Sequence, residues 1–199
     1  MTRKRALLKA AQHLFSTLGY EGTTFKKISA EAGVALGLLS HHYGSKEQLF
    51  LIAGLDVLDC LYASLIQECA KGGTGLERVL CYAKAFFDFS LVEENCYRLL
   101  LLSPPHWIVH PDSHPPLNKG YRRLYALLES LIEHGKKDGT INPAVPPSTV
   151  KVISCTIYGG TRMLLVTPFA PENLYDDILL MIRLSLSSSP AFPFTATEQ

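Results

Sequence analysis

The chain has 199 residues, 47% hydrophobic and 19% charged, which is long and apolar enough to bury a core and excludes a disordered or fibrous protein. The net charge of +1 conceals an asymmetry, because residues 1–46 hold seven Lys or Arg against two acids while the remainder is acidic. A basic end on an acidic body is typical of a protein that docks on nucleic acid with one end.

The five cysteines are widely spaced and form no C-x-x-C motif, which predicts a reducing, cytoplasmic compartment. Apolar residues follow the basic N-terminus, but Lys9, Gln12 and His13 interrupt them. A signal peptide is therefore not expected. No membrane span is expected either.

The first 46 residues begin with two predicted helices. Apolar residues recur at positions 7, 11, 14, 15 and 18, which is one face of a helix that ends at Gly19. A second helix is predicted over Phe25–Ala32, with a hydroxyl of Thr23 or Thr24 at its N-cap. Gly33 ends this helix, because glycine adopts the left-handed conformation at low steric cost.

A third short helix is predicted over Leu36–Tyr43. Leu39 and Tyr43 are four residues apart, so they lie together on its inner face. The outer face is left free, with lysines on both sides. Two short helices across a glycine turn, with basic residues at the edges, predict a helix-turn-helix whose second helix can lie in the DNA major groove.

Residues 19–50, GYEGTTFKKISAEAGVALGLLSHHYGSKEQLF, resemble the N-terminal DNA-binding domain of the TetR family of bacterial transcriptional regulators. The resemblance rests on the threonine pair, the Ala-Gly-Val turn and the Ser-Lys pair that opens the next helix. Three positions depart from the family pattern. Ser29 replaces the usual alanine, Ala35 replaces the Ser or Thr that caps the recognition helix, and Ser40 replaces a tyrosine that usually contacts phosphate.

The resemblance implies an all-α homodimeric regulator with a three-helix head over residues 1–44, a six-helix body over 45–189 for effector binding and dimerisation, and a flexible tail over 190–199. Its partner would be a double-stranded DNA operator. The expected DNA-binding residues lie on or beside the recognition helix: Thr24, Lys26, Lys27, Leu36, Gly37, Ser40, His41, His42, Tyr43 and Lys46.

These side chains are expected to divide into two groups. Thr24, Tyr43 and Lys46 flank the recognition helix and are expected to bind phosphates, which carry no sequence information. Leu36 heads the helix, where it can offer only methyl groups, and the thymine methyl is its natural partner. The alternative is that Leu36 packs back on the head and contacts no base.

The body is predicted to be helical throughout. Ser45 and Gln48 form a capping box that opens a long helix over 45–70, and a glycine-rich break precedes a helix over 76–91. A shorter helix is predicted over 95–102. Prolines at 104, 105, 111, 115 and 116 exclude regular structure around Trp107, and further helices are predicted over 117–137, 148–167 and 173–188.

Aromatic residues recur at helical spacing in the 76–91 helix, which fits either plain core or the wall of a pocket. The resemblance implies a pocket for a hydrophobic or planar effector. The expected lining is Leu61, Tyr62, Leu65, Phe86, Phe89, Tyr97, Trp107, Tyr125, Tyr158 and Met163.

The last helix is apolar nearly all round, so it needs cover that a second copy can supply. The last two helices are therefore expected to form the dimer, with Gly159 and Gly160 allowing close approach of another backbone. The expected interface residues are Ile153, Ile157, Gly160, Leu164, Ile178, Met181 and Ile182.

Other chemistry is not expected. His106, His110 and His114 are spaced by four, but prolines between them exclude a helix that would gather them around a metal. No nucleophile motif or phosphate-binding loop is present, so no enzyme, catalytic residue, metal or cofactor is expected. The alternative function is a DNA-bound interaction protein whose body binds a partner protein and no effector.

Overall fold

The computed structural model describes residues 2–102 and 115–187, and the regular structure in these two ranges is entirely helical. The expected all-α fold, with a helix-turn-helix head and a helical body, is confirmed. The α-helices of these ranges are α1 (Arg3–Gly22), α2 (Phe25–Ala32), α3 (Leu36–Tyr43), α4 (Lys46–Cys69), α5 (Gly75–Leu91), α6 (Pro115–Lys137), α7 (Thr149–Val166) and α8 (Leu174–Leu186).

One predicted element is wrong. In place of an α-helix over 95–102, the chain forms two 3-10 turns, Glu93–Asn95 and Tyr97–Leu100. Cys96 separates them with a φ of 54°, a left-handed conformation that a continuous α-helix excludes. The expectations for Trp107, for the three histidines at 106, 110 and 114 and for the tail from residue 190 lie outside the described residues.

The head is fixed by caps and by a kink. Gly19, at φ 70°, interrupts the helical path of α1, and the buried hydroxyl of Thr23 donates to the carbonyls of Leu14 and Gly19. Thr24 caps α2 by accepting the N–H of Lys27 at 3.2 Å. These bonds hold the α1–α2 connection, so that α2 and α3 are presented at one end of the molecule.

Helix α4 joins the head to the body. By length and composition α4 is apolar enough to cross a membrane. It contacts α1, α5 and α6 in this structure. Its residues Leu49, Val57 and Leu61 are buried, which is the pattern of a core helix in a folded protein.

Helix α5 lies at the centre of the body, in contact with α4, α6, α7 and α8. Glycines permit two close contacts in the body, one between α5 and α6 and one between α7 and α8. A Cβ on Gly75 would lie 2.1 Å from the Cα of Gly135 in α6, and one on Gly160 would lie 2.4 Å from Cδ1 of Ile178. The body therefore packs backbone closely against neighbouring helices at both points.

Most of the expected dimer residues prove to be core residues of a single chain. Ile153, Ile157, Ile178 and Ile182 are buried where α7 and α8 pack on each other and on α5. Gly160 faces Ile178 and the ring of Phe87 within the same chain, and Leu164 is partly buried against the core. Of the expected set, only Met181 is exposed.

Candidate DNA-binding and effector sites

Helix α3 presents its outer face to solvent. Leu39 and Tyr43 are buried, as the sequence predicts for the inner face. The exposed residues of this helix are Leu36, Gly37, Ser40, His41 and His42. The side chain of Leu36 is 49% exposed, which does not fit the alternative that it packs back on the head.

The turn before α3 has the expected glycine geometry. Gly33, at φ 63°, donates its N–H to the carbonyls of Ala30 and Ser29 and so ends α2. Ala35 then begins α3 without a side-chain cap. The first N–H groups of α3 are thus left without a side-chain partner at the end of the helix that carries Leu36.

The N-terminus of α2 adds exposed polar groups near the recognition helix. The Thr24 oxygen accepts the Lys27 N–H, which leaves its own O–H free to donate outward. Lys26 is exposed, whereas the Lys27 ammonium donates to the carbonyl of Gly22 at 2.7 Å. Of the two lysines, Lys26 is the better placed to bind a phosphate.

Two of the three expected phosphate contacts are directed into the protein. The Lys46 ammonium donates to the carbonyls of Tyr20 at 3.1 Å and Thr23 at 3.3 Å, and lies 4.0 Å from the centre of the Tyr20 ring. The buried Tyr43 hydroxyl donates to the carbonyl of Lys4 at 2.9 Å, and burial raises its pKa. Both side chains tie the head together, because their polar atoms already have backbone partners.

Sequence reasoning missed the contribution of α1 to this end of the molecule. Arg3 lines a cleft of about 420 Å³ together with Ala35 and Leu38 of the recognition helix and its turn. A cation therefore lies beside the start of α3. The sequence signal for this cation is the run of basic residues at positions 3–5, which by itself indicates only net charge.

A second set of contacts joins α1 to α4. Arg5 forms an ion pair with Asp56 at 2.7 Å, and the same carboxylate accepts an N–H of Gln12 at 2.8 Å. Gln12 is buried, and it also donates to the carbonyl of Ala53. A displacement of α4 would therefore be transmitted to α1 through a hydrogen-bonded carboxylate.

The expected pocket residues fall into several groups. Leu61, Leu65, Phe86, Phe89 and Tyr97 are buried, and Tyr125, Tyr158 and Met163 are partly buried. Trp107 lies outside the described residues. Tyr62 differs from the rest, because its ring stacks under Arg123, which pairs with Asp59 on the outer side of α4.

Aromatic residues from four elements meet around Phe86. The ring centre of Phe86 lies 5.5 Å from that of Tyr97, 5.3 Å from that of Tyr158 and 6.4 Å from that of Tyr82. Tyr121 of α6 lies 6.3 Å from Tyr158. The sequence predicts Tyr82 only as part of the aromatic stripe of the 76–91 helix and does not predict Tyr121, because the clustering depends on how α5 and α6 pack.

These phenols are neutral in the folded protein. Burial raises the pKa of Tyr121 to about 12. Burial, with neighbouring phenols adding to it, raises the pKa of Tyr82, Tyr97 and Tyr158 further above the ordinary value. The cluster therefore offers O–H donors and aromatic faces without charge.

Metal and thiol chemistry find little support in this part of the chain. Within residues 2–102 and 115–187, no group of three or more His, Cys, Asp or Glu could hold a metal ion. Cys69 and Cys96 are buried, and burial raises the pKa of Cys69 to about 12, which disfavours the reactive thiolate. Cys60 and Cys155 are exposed.

The outer surface of α7 and α8 is unusually apolar. Val152 on α7 and Leu180, Met181 and Leu184 on α8 are all more than half exposed. Gly159 is also on the outside, and a Cβ there would meet nothing within 4 Å. We call these five residues, Val152, Gly159, Leu180, Met181 and Leu184, the outer α7–α8 face.

Comparison with known proteins supports both the DNA-binding head and the fold of the whole chain. Residues 7–52 match the family of bacterial regulatory proteins, tetR family. The transcriptional repressor KstR2 of Mycolicibacterium smegmatis is 32% identical over 150 residues, which cover 71% of this chain and 69% of that protein. The chain spans only 26% to 45% of the lengths of three other curated relatives.

Two solved structures share the fold. A regulator from Saccharomonospora viridis in complex with choline matches 94% of this chain and 98% of its own with a TM-score of 0.81, at 17% identity. AibR, in complex with isovaleryl coenzyme A and operator DNA, matches 91% of this chain and 98% of its own with a TM-score of 0.71, at 20% identity. With the exposed recognition helix and the long similarity to KstR2, these matches show that the chain belongs to the TetR family of bacterial transcriptional regulators.

Proposed function

We propose that the chain is a homodimeric repressor that leaves its operator when a small hydrophobic or aromatic molecule occupies the body. The observation that carries the proposal is the exposed outer face of α3 at the basic end of the chain. We divide the chain into a DNA-binding head, residues 1–44, and a body from residue 45 that binds the effector and dimerises.

Recognition of DNA follows from the exposed groups. Ser40 and His41 each offer a hydrogen bond of low discrimination, and Leu36 offers methyl groups to thymine. Thr24, Lys26 and Arg3 surround them and would hold phosphates, which fixes the position of α3 in the groove. A helix with so few base-reading groups gains specificity by acting twice, once from each protomer.

The outer α7–α8 face supports dimerisation. Four apolar side chains exposed on two adjacent helices leave a surface that a second copy of the same face can cover. Gly159 would let the two α7 backbones approach closely. The interface expected from the sequence thereby moves from the inward isoleucines to the exposed residues Val152, Leu180, Met181 and Leu184.

The body supports an effector site because aromatic residues from α5, α6, α7 and the second 3-10 turn converge there. The two fold neighbours are described in complex with choline and with isovaleryl coenzyme A, so proteins of this shape hold small molecules. In this chain, a ligand that displaced α4 would act on α1 through Asp56.

The exposed apolar residues of the outer α7–α8 face also support a second candidate function, in which the body binds a partner protein and no effector. Selection of genomic DNA fragments on the purified protein, followed by footprinting, distinguishes the two. The first function predicts a few sites with paired half-sites, and release by members of a small-molecule library. Many dispersed sites, no release by any compound and a partner protein that competes with self-association would contradict it.

A further inference from the structure

A cavity of about 260 Å³ lies where α1 meets the body, and we call it the seam cavity. Ser16 and Thr17 of α1 line one side of it. The end of α5, the two 3-10 turns and Leu165 of α7 line the rest. Its volume is close to the lower end of the roughly 300–1,000 Å³ range of ligand sites, so its ligand would be small.

The wall of the seam cavity contains a buried hydroxyl that lacks a partner. Ser90 lines the cavity and is 2% exposed, and its Oγ has no hydrogen-bond partner among the described residues. The hydroxyls of Ser16 and Thr17, in contrast, both donate to the carbonyl of His13. Leaving a buried hydroxyl unpaired is costly, so a polar atom of a ligand would be stabilised beside Ser90.

Glu93 and Arg98 give the seam cavity one negative and one positive charge. Both residues line it, and both are exposed. Within residues 2–102 and 115–187, neither forms an ion pair, with the other or with a third residue. A ligand with a single charge would meet one opposite and one like charge, whereas a ligand with both charges can pair with each.

Apolar residues complete the wall. Leu91 and Val92, where α5 ends, are 44% and 45% exposed, and Leu165 is partly buried. All three line the seam cavity. Covering them with apolar atoms removes apolar surface from water, which favours binding. The ligand is therefore expected to combine two opposite charges with a small apolar group.

We propose that the seam cavity binds an α-amino acid with an apolar side chain. The carboxylate of the ligand would pair with Arg98 and accept a hydrogen bond from Ser90, and its ammonium group would pair with Glu93. The apolar side chain would lie against Leu165. This inference goes beyond the proposed function, because the seam cavity shares only Tyr97 with the aromatic residues around Phe86.

Isothermal titration calorimetry on the full chain tests the proposal. L-Valine, L-leucine, L-isoleucine and L-methionine are titrated first. The tightest of them is then compared with the amine that lacks its carboxylate and the acid that lacks its ammonium group, which for leucine are 3-methylbutylamine and 4-methylpentanoate. Because each truncated probe loses one charged contact, both should bind about tenfold more weakly than the amino acid.

Two variants assign the charges. R98Q removes the partner of the carboxylate, so it should lose the preference for the amino acid over the amine and keep the preference over the acid. E93Q should do the reverse. Glu94 and Arg122 are also exposed but do not line the seam cavity, so E94Q and R122Q are matched controls and should bind all probes like the parent protein.

Ser90→Ala tests the buried hydroxyl. Because this hydroxyl has no partner among the described residues, its loss should leave the Tm unchanged in the absence of ligand. The affinity for the amino acid should fall about threefold to tenfold. An unchanged affinity would contradict the contact with Ser90.

No binding of any of the four amino acids, or an amine or acid that binds as tightly as the amino acid, would overturn the inference. So would preferences that both R98Q and E93Q leave intact. None of these results bears on the proposed function, because DNA binding and its release by an effector are measured separately. Failure of the proposed function would show as DNA binding that no compound reverses, and it would leave the amino-acid affinities unchanged.

Discussion

Apolar residues are distributed differently on the helices of the head and on those of the body. Helices α2 and α3 each bury one side and present polar or small residues on the other, with Leu36 the large exception. Helices α7 and α8 are apolar on two sides, with isoleucines directed into the chain and Val152, Leu180, Met181 and Leu184 directed out of it. A polar outer face suits a hydrated DNA groove, whereas an apolar outer face suits a second protein surface.

The largest expected effect is on the outer face of the body. Met181→Asp or Leu184→Asp would place an unpaired charge in the proposed dimer seam, at a cost of about 3–5 kcal/mol. In the single chain both positions are exposed, so the fold should survive. Sedimentation velocity should show a folded monomer, and operator affinity should fall with the loss of the second half-site.

Ile66→Asp is the matched control, because Ile66 is also an exposed apolar residue but lies on α4. That variant should remain dimeric. Ile157→Asp would be uninformative about the seam, because Ile157 is buried in the core of its own chain. Dimers that persist in both the Met181 and Leu184 variants would assign the interface to another surface.

Gly159 and Gly160 are adjacent in α7, but Gly159 lies on the outer α7–α8 face and Gly160 faces the core. Gly160→Ala would push a Cβ to 2.4 Å from Ile178 and should lower the free energy of unfolding by about 1–3 kcal/mol. Gly159→Ala meets open space and should raise that free energy by about 0.5–1 kcal/mol.

Urea denaturation in the monomeric Leu184→Asp background measures both changes without a contribution from the dimer. The sign of the difference is the test. If Gly159→Ala destabilised the monomer as much as Gly160→Ala, the assignment of an inward and an outward glycine would be wrong.

The same contrast explains how far the sequence could be interpreted. In the head, a glycine turn, two caps and a polar outer face all point to one arrangement, and α2 and α3 begin and end at the predicted residues. In α8, apolar residues on both sides give no signal for which side faces the core. In α7, the isoleucines are predicted to lie in the dimer because they share one stripe with Gly160, and the structure buries that stripe within its own chain.

Side-chain partners over long sequence distances could not be predicted either. The lysine at 46 suggested a phosphate contact, but its ammonium is turned toward carbonyls more than 20 residues earlier. The pairing of Tyr121 with Tyr158 depends on how α6 packs against α7. Likewise, nothing local in the sequence marks the left-handed conformation of Cys96.

A smaller effect is expected from Lys26 and Lys46, of which the first is exposed and the second is bonded to backbone carbonyls. Lys46→Met keeps the apolar stem but loses two hydrogen bonds, and should cost about 1 kcal/mol of folding stability with little change in the salt dependence of DNA binding. Lys26→Met should leave stability unchanged and reduce the slope of log K against log salt by about 0.9 for each bound protomer, or about 1.8 for the dimer. A reduced slope for Lys46→Met alone would return that ammonium to the DNA interface.

The smallest expected effect concerns the one large apolar residue exposed on α3. Leu36 is 49% exposed at the N-terminal end of α3, the helix that we propose lies in the groove, where it can contact a thymine methyl but no hydrogen-bonding edge. Burying one methyl group is worth about 0.8 kcal/mol, so each half-site should discriminate only weakly.

Replacing half-site thymines by uracil one at a time deletes only the methyl, and binding to the two operators can be compared by fluorescence anisotropy. One thymine per half-site should show the loss, and Leu36→Ala should make thymine and uracil equivalent there. Equal affinity at every half-site thymine, or a difference that persists in Leu36→Ala, would rule out the contact.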